Sequence, residues 1–218
     1  MKNLLLSAAI GDIAGMPYEF KGRTKDYNTV DLLLPTNTYT DDTVCTFACA
    51  EALLRGLNMA ENLWNRCRAD FYRGFGGRFA RWLIAKEIQP SYHSYGNGSG
   101  MRVSAAGFMA KSVEECIDLA TKTALPTHDH PEGIKGAVAT ALTIFYGMQG
   151  KDKDFILDCL KFHHNYDEKI KDMDYITTGK PDKFSFSRCF FIVKKGGEKV
   201  DFSIQKCVDA IEHKQNEK

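Results

Sequence analysis

The 218 residues suffice to bury a sizeable core in one domain or two small ones, and 29 Lys and Arg against 28 Asp and Glu leave a formal charge of +1. Neither sign forms a long block, so net charge implies no polyanionic partner, and a nucleic-acid arm is not expected, although a local anion site stays open. Seven Cys, an odd number without a C-x-x-C pair, argue against a disulfide framework or a zinc ribbon and for reduced thiols packed as small hydrophobes in a cytoplasmic protein.

Met1 and Lys2 followed by Leu4, Leu5, Leu6 and Ile10 faintly resemble a signal peptide, but Asp12 interrupts the apolar run. No later stretch is long and apolar enough to span a membrane, so neither leader nor anchor is expected. Instead Leu5, Ala8, Ala9 and Ile10 predict a buried helix from about Lys2 to Ala14, with Gly11 and Gly15 permitting close approach. Pro17 breaks it. Taken singly, Asp12 and Glu19 read as structural residues. Lys21 to Tyr39, with Gly22, Asn28, Pro35 and Asn37, reads as an irregular connection in which Val30 to Leu34 pack on the core surface.

Thr40-Asp41-Asp42-Thr43 then opens the apolar run Val44 to Ala50. Two readings stand. Thr40 suits an N-cap and acidic residues suit a first turn, where the helix dipole offsets part of their repulsion. The same carboxylates and hydroxyl also offer a hard cation several oxygen ligands on one short arc. The helix is expected to run to Leu54 or Arg55 and stop at Gly56, with Val44, Phe47 and Ala48 as an apolar stripe that Cys45, Cys49, Ala52 and Leu53 widen toward nearly full burial.

Asn58 to Tyr72 predicts a further helix, Arg73 to Phe79 a loop, and Trp82 to Ala85 a short helix ended by Pro90. Ser94-Tyr95-Gly96-Asn97-Gly98-Ser99-Gly100-Met101-Arg102 places three glycines in alternate positions just before an apolar helix through Val103, Ala106 and Phe108. Uncovered amides there read either as a phosphate cradle or as a tight turn. The pattern is neither the Rossmann fingerprint nor a P-loop. Ser112 with Glu115 reads as a capping box for a helix to Ala124.

In Thr127-His128-Asp129-His130-Pro131-Glu132-Gly133, two His around one Asp lack the further ligands of a zinc site, so His128 alone is read as a ligand contact. Pro131 suits the first turn of an Ala-rich helix whose apolar face is Ile134, Val138, Ala141, Leu142 and Phe145. Phe155 to Phe162 is amphipathic, Asn165 to Ser185 reads as charged, irregular and exposed, and Phe186 to Lys194 and Asp201 to His213 read as short helices. Helix-period patterns dominate, giving an all-α single domain over residues 1–218.

Gly11-Asp12 with Glu19, then Tyr39 to Thr43, then Ser94 to Arg102, then His128-x-His130-Pro131-Glu132-Gly133 occur in this order in ADP-ribosylglycohydrolases. The chain resembles a bacterial-type member of that family, strongly to about Gly150, more weakly to Cys189 and uncertainly beyond. The resemblance implies an all-α, single-domain orthogonal helical bundle, here C-terminally shortened. It also implies a hydrolase that cleaves the glycosidic bond between ADP-ribose and a protein side chain or other acceptor, assisted by Mg2+ or Mn2+. Thr40, Asp41 and Asp42 match half of the metal cage, and Glu19 matches an acidic residue near it with ligand or general-base roles. Glu19, Asp41 and Asp42 are the expected catalytic set. Ser94, Tyr95, Gly96, Asn97, Gly98 and Ser99 match the loop around the diphosphate and distal ribose, and His128 matches a residue lining the substrate cleft.

The family's second metal motif, D-x-D-T, is absent. Aligned on Asp201-Phe202, its place falls at Gln215-Asn216-Glu217-Lys218. The expectation is therefore one ion instead of a pair, or an ADP-ribose-binding module without turnover, or a chain completed by a partner that covers apolar surface left by the missing helices. No membrane or nucleic-acid partner is expected.

Overall fold

The computed structural model describes residues 2–19, 31 and 34–164, and among these the secondary structure is helical throughout, without strands. The helices are α1 (Lys2–Gly15), α2 (Asp41–Arg55), α3 (Met59–Ala69), α4 (Gly77–Ile84), α5 (Gly98–Met101), α6 (Ser104–Met109), α7 (Val113–Ala124), α8 (Pro131–Met148) and α9 (Lys153–His164), with a 3-10 turn at Met16–Tyr18 after α1.

Local chemistry sets several ends. The Thr40 hydroxyl accepts from the Asp42 amide at 3.3 Å, and Gly56 closes α2 at φ +64°, a left-handed conformation that a side chain would strain. Asn58 caps α3 by accepting from Glu61 N–H at 3.0 Å. Ser112 caps α7 through Glu115 N–H, but Glu115 Oε2 accepts from Lys111 N–H at 2.7 Å, so the capping box reaches back one residue beyond the cap. His130 caps α8 through Nδ1, and Pro131 takes the first helical position, where its missing N–H is harmless.

The core forms around α8, whose Ala137, Val138, Ala139, Ala141 and Leu142 are buried against α5, α6, α7 and α9. Small residues let the backbones approach. At Gly107 of α6 an added Cβ would lie 2.6 Å from Ala141 O, an impossible contact. A second cluster joins Val44, Cys45, Ala48 and Cys49 of α2 to Leu63 and Cys67 of α3 and to Phe79, Trp82 and Leu83 of α4.

Three expectations change. Phe47 and Leu54 of α2 are exposed, so α2 is buried on one side instead of nearly all round. Helix α4 begins at Gly77 and ends at Ile84, ahead of Pro90. The helical chain after the glycine stretch begins within it, at Gly98, because α5 makes one turn before the backbone restarts as α6. Val30 with most of its neighbours to Leu34, the reading of Asn165 to Ser185, the two expected terminal helices, and Gln215 to Lys218 lie outside the described residues. No helix among the described residues is long and apolar enough to cross a membrane.

Candidate functional site

The acidic end of α2 is held by Asp12 of α1. Asp12 Oδ1 accepts from Thr40 Oγ1 at 2.6 Å, and its Oδ2 accepts from Thr40 N–H at 2.8 Å, Thr43 N–H at 3.2 Å and Thr43 Oγ1 at 2.6 Å. Both hydroxyls flanking Asp41-Asp42 are thus turned inward to one buried carboxylate. On the other side, Asp41 N–H donates to Arg73 O at 2.9 Å, and Gly74, at φ +93°, passes close to the Asp41 carboxylate.

Asp41 feels the crowding. Its carboxyl is pushed up to about 8, first by burial and then by the charges of Asp42, Glu19 and Asp12, against a smaller stabilising backbone hydrogen bond. Glu19, following the 3-10 turn, thereby joins the electrostatic neighbourhood of the aspartates across some twenty residues of sequence. Asp12 is the residue that sequence reasoning left out of the site. The signal was its place in the Gly11-Asp12 pair, but four hydrogen bonds to Thr40 and Thr43 cannot be read from one helix alone.

The glycine stretch forms the second half. Ser94 is buried, its N–H donates to Thr127 O at 3.1 Å, and its hydroxyl accepts from Gly96 N–H at 3.2 Å. The Ser99 hydroxyl donates to Gly133 O at 2.7 Å, tying α5 to the first turn of α8. Gly133 is required there, since a Cβ would stand 2.5 Å from Ser94 O. Gly96 is exposed, and Asn97 and Gly98 are half-exposed at the start of α5. Tyr95 is exposed and lies 5.2 Å, centroid to centroid, from His130, whose other neighbour is His93 at 4.9 Å.

His128 is buried, and its ring lies against Gly98, where a Cβ would fall 2.9 Å from Cε1 and 3.2 Å from Nε2. Burial pushes its pKa down to about 3, with the nearby charges of Arg102 and Arg78 adding to the effect and Asp129 opposing it, so the ring is neutral at physiological pH. Arg102, a residue that sequence reasoning quoted only as the end of the glycine stretch, is almost fully buried beneath. It donates to Thr123 O, Ala124 O and Thr127 Oγ1 and, among the described residues, makes no carboxylate ion pair.

The two halves sit on adjoining helices. Thr46, one turn beyond Asp42, donates through its hydroxyl to Met101 O, one turn beyond Gly98, at 3.2 Å. A separate cavity of about 590 Å³ between the α2–α3 connection and the end of α7 is lined by Leu53, Leu57, Met59, Leu119 and Leu125 and contains none of these residues.

Residues 1–204, which include this helix end and the glycine stretch, match the sequence model of the ADP-ribosylglycohydrolase family. The chain belongs to that family. ADP-ribosylhydrolase ARH3 of Xenopus tropicalis is 27% identical over 176 residues, covering 67% of this chain and 50% of that protein. Mouse ARH3 is 29% identical over 130 residues, covering 51% of this chain and 35% of that protein. A different relative, the chloroplastic Protein DCL of Solanum lycopersicum, is 49% identical over 53 residues, covering 24% of each chain. The chain spans half or less of each of these relatives.

Among the described residues no three His, Cys, Asp or Glu side chains already converge as a metal cage. Asp41 and Asp42 supply two carboxylates, while the oxygens of Asp12 are taken by threonines. This donor set fits one hard divalent cation completed by water and falls short of a tight pair.

Proposed function

We propose that the chain binds ADP-ribose at the glycine stretch and hydrolyses the glycosidic bond that joins it to an acceptor, with Glu19, Asp41 and Asp42 at the reacting end. The Thr46 to Met101 hydrogen bond supports this reading most directly, because it sets the acidic helix end beside the glycine helix. Ser94, Tyr95, Gly96, Asn97, Gly98, Ser99 and His128 form the diphosphate and ribose side. Arg102 adds a buried positive charge beneath it, which favours a dianionic ligand.

A magnesium or manganese ion at Thr40, Asp41 and Asp42 would supply charge neutralisation and Lewis acidity when bound. The chain's own residues then divide the work. Asp12 holds the α2 end rigid, Asp42 faces the developing positive charge at the anomeric carbon with Asp41 beside it, and Glu19 takes a proton from the attacking water and passes it to the acceptor atom as the glycosidic bond breaks. Release of free ADP-ribose from an ADP-ribosylated protein, measured with and without magnesium, tests the reading. Magnesium-dependent release that Asp42→Ala lowers at least a hundredfold is expected. Unchanged release by Asp42→Ala overturns the catalytic assignment, and ADP-ribose binding without release leaves a binding module.

The Protein DCL similarity favours a second statement about organisation. Similarity to Xenopus ARH3 covers 67% of the chain, leaving room for a 53-residue stretch nearly twice as similar to Protein DCL. The ordered hydrolase residues lie between Gly11 and Gly133, so we infer that this stretch follows them, with most of it inside the family match that ends at residue 204. The 1–218 unit is then a hydrolase part plus a short second module. Trypsin digestion of the full chain should leave a persistent fragment ending after α9; no such fragment returns the single-domain reading.

A further inference from the structure

Arg102, Thr127 and His128 form a line of hydrogen bonds that ends at the glycine cradle. Arg102 Nη2 donates to Thr127 Oγ1 at 3.0 Å, and Thr127 Oγ1 lies 2.8 Å from His128 Nδ1. A guanidinium only donates, so Thr127 Oγ1 must accept from it. With Oγ1 accepting from Arg102, the single threonine proton is free to point at Nδ1. That nitrogen then accepts, and the ring proton sits on Nε2, beside Gly98 and Gly96, where added Cβ atoms would lie 3.2 and 3.9 Å away.

We propose that Arg102 and Thr127 are positioning residues that hold His128 as the neutral Nε2–H tautomer, so that it presents a hydrogen-bond donor without charge to an anionic oxygen in the cradle. The backbone holds the same alignment: His128 N–H donates to Ala124 O at 2.8 Å and Ser94 N–H to Thr127 O at 3.1 Å, so ring and loop move together. A neutral donor of fixed direction selects by position, and the positive charge comes from Arg102, which is anchored by the carbonyls of Thr123 and Ala124. This inference rests on the ADP-ribose reading only for the identity of the ligand.

The test uses the full chain with 15N-labelled histidine and separates the two ideas. In the ligand-free wild type, two-dimensional NMR should show Nδ1 of His128 as the unprotonated, pyridine-type nitrogen and Nε2 as the protonated one. Thr127→Val should lose this preference and bind ADP-ribose about tenfold more weakly in calorimetry, a loss of one hydrogen bond. Thr127→Ser should restore both. A wild-type ring protonated at Nδ1 overturns the proposal, as does a folded Thr127→Val with unchanged tautomer. If Thr127→Val does not fold, the wild-type and Thr127→Ser spectra still decide. Should the wild type show the expected tautomer yet not bind ADP-ribose, the ligand reading fails and the positioning assignment stands.

Discussion

Asp12 of α1 takes the Thr40 hydroxyl at the start of α2 at 2.6 Å, so the residue that caps the helix is itself clamped by a buried carboxylate from the preceding element. Hydrogen bonds to a charged acceptor contribute about 1.5–3 kcal/mol each, and a buried donor left unmet costs the desolvation of that group. Asp12→Ala removes the acceptor for both hydroxyls and both amides at once. We expect a loss of about 3 kcal/mol or more in urea unfolding followed by circular dichroism, with Asp12→Asn intermediate. A loss below about 1 kcal/mol would mean that water replaces the clamp.

Gly98 and Gly133 separate binding from folding. An added Cβ at Gly98 meets the His128 ring edge at 2.9 Å, a side-chain contact, whereas at Gly133 it meets Ser94 O at 2.5 Å, which is backbone. Gly98→Ala should cost less thermal stability than Gly133→Ala while weakening ADP-ribose binding about tenfold or more. Gly133→Ala should lower the melting temperature by several degrees because α8 must move away from the loop. Equal effects on stability from the two variants would show that the cradle is not the softer contact.

The low pKa of His128 makes stability depend on pH. In the unfolded chain the ring binds a proton below its ordinary value of 6.5, and in the folded chain only near 3, so between these limits the unfolded state holds more protons. The contribution is therefore fully present above pH 6.5 and is lost as pH falls toward 3, at up to about 1.4 kcal/mol per pH unit. Neighbouring carboxyls titrate in the same range, so the measurement is a difference. Wild-type stability should fall relative to His128→Gln as pH drops from 6.5 to 4, and parallel curves would refute the buried neutral ring.

Cys45, Cys49, Cys67 and Cys116 are buried without a disulfide, and the Cys45 and Cys67 sulfurs lie 3.6 Å apart as thiols. Burial pushes both the Cys49 and Cys116 thiols up to about 12, leaving almost no thiolate at pH 8. Native protein labelled with iodoacetamide should show these positions unmodified by mass spectrometry, and denatured protein should show them labelled. Rapid native labelling at Cys49 would contradict the packing of α2 on α3.

Where information is local, residue order alone determined the outcome. Thr40 and Gly56 act within one turn of α2, so both ends of that helix were legible, as were the cap at Ser112 and the place of Pro131. The order of Glu19, Thr40 to Thr43, Ser94 to Arg102 and His128 likewise marked the family without coordinates. Only the tertiary structure decided that Asp12 clamps Thr40 and Thr43, that Ser99 is tied to Gly133, that Phe47 and Leu54 face solvent, and that Arg102 lies beneath His128. Each of these depends on which distant segment supplies a partner or a cover. Periodicity within one helix records that a face is apolar, but a hydrogen bond between segments is set by where the whole chain brings them.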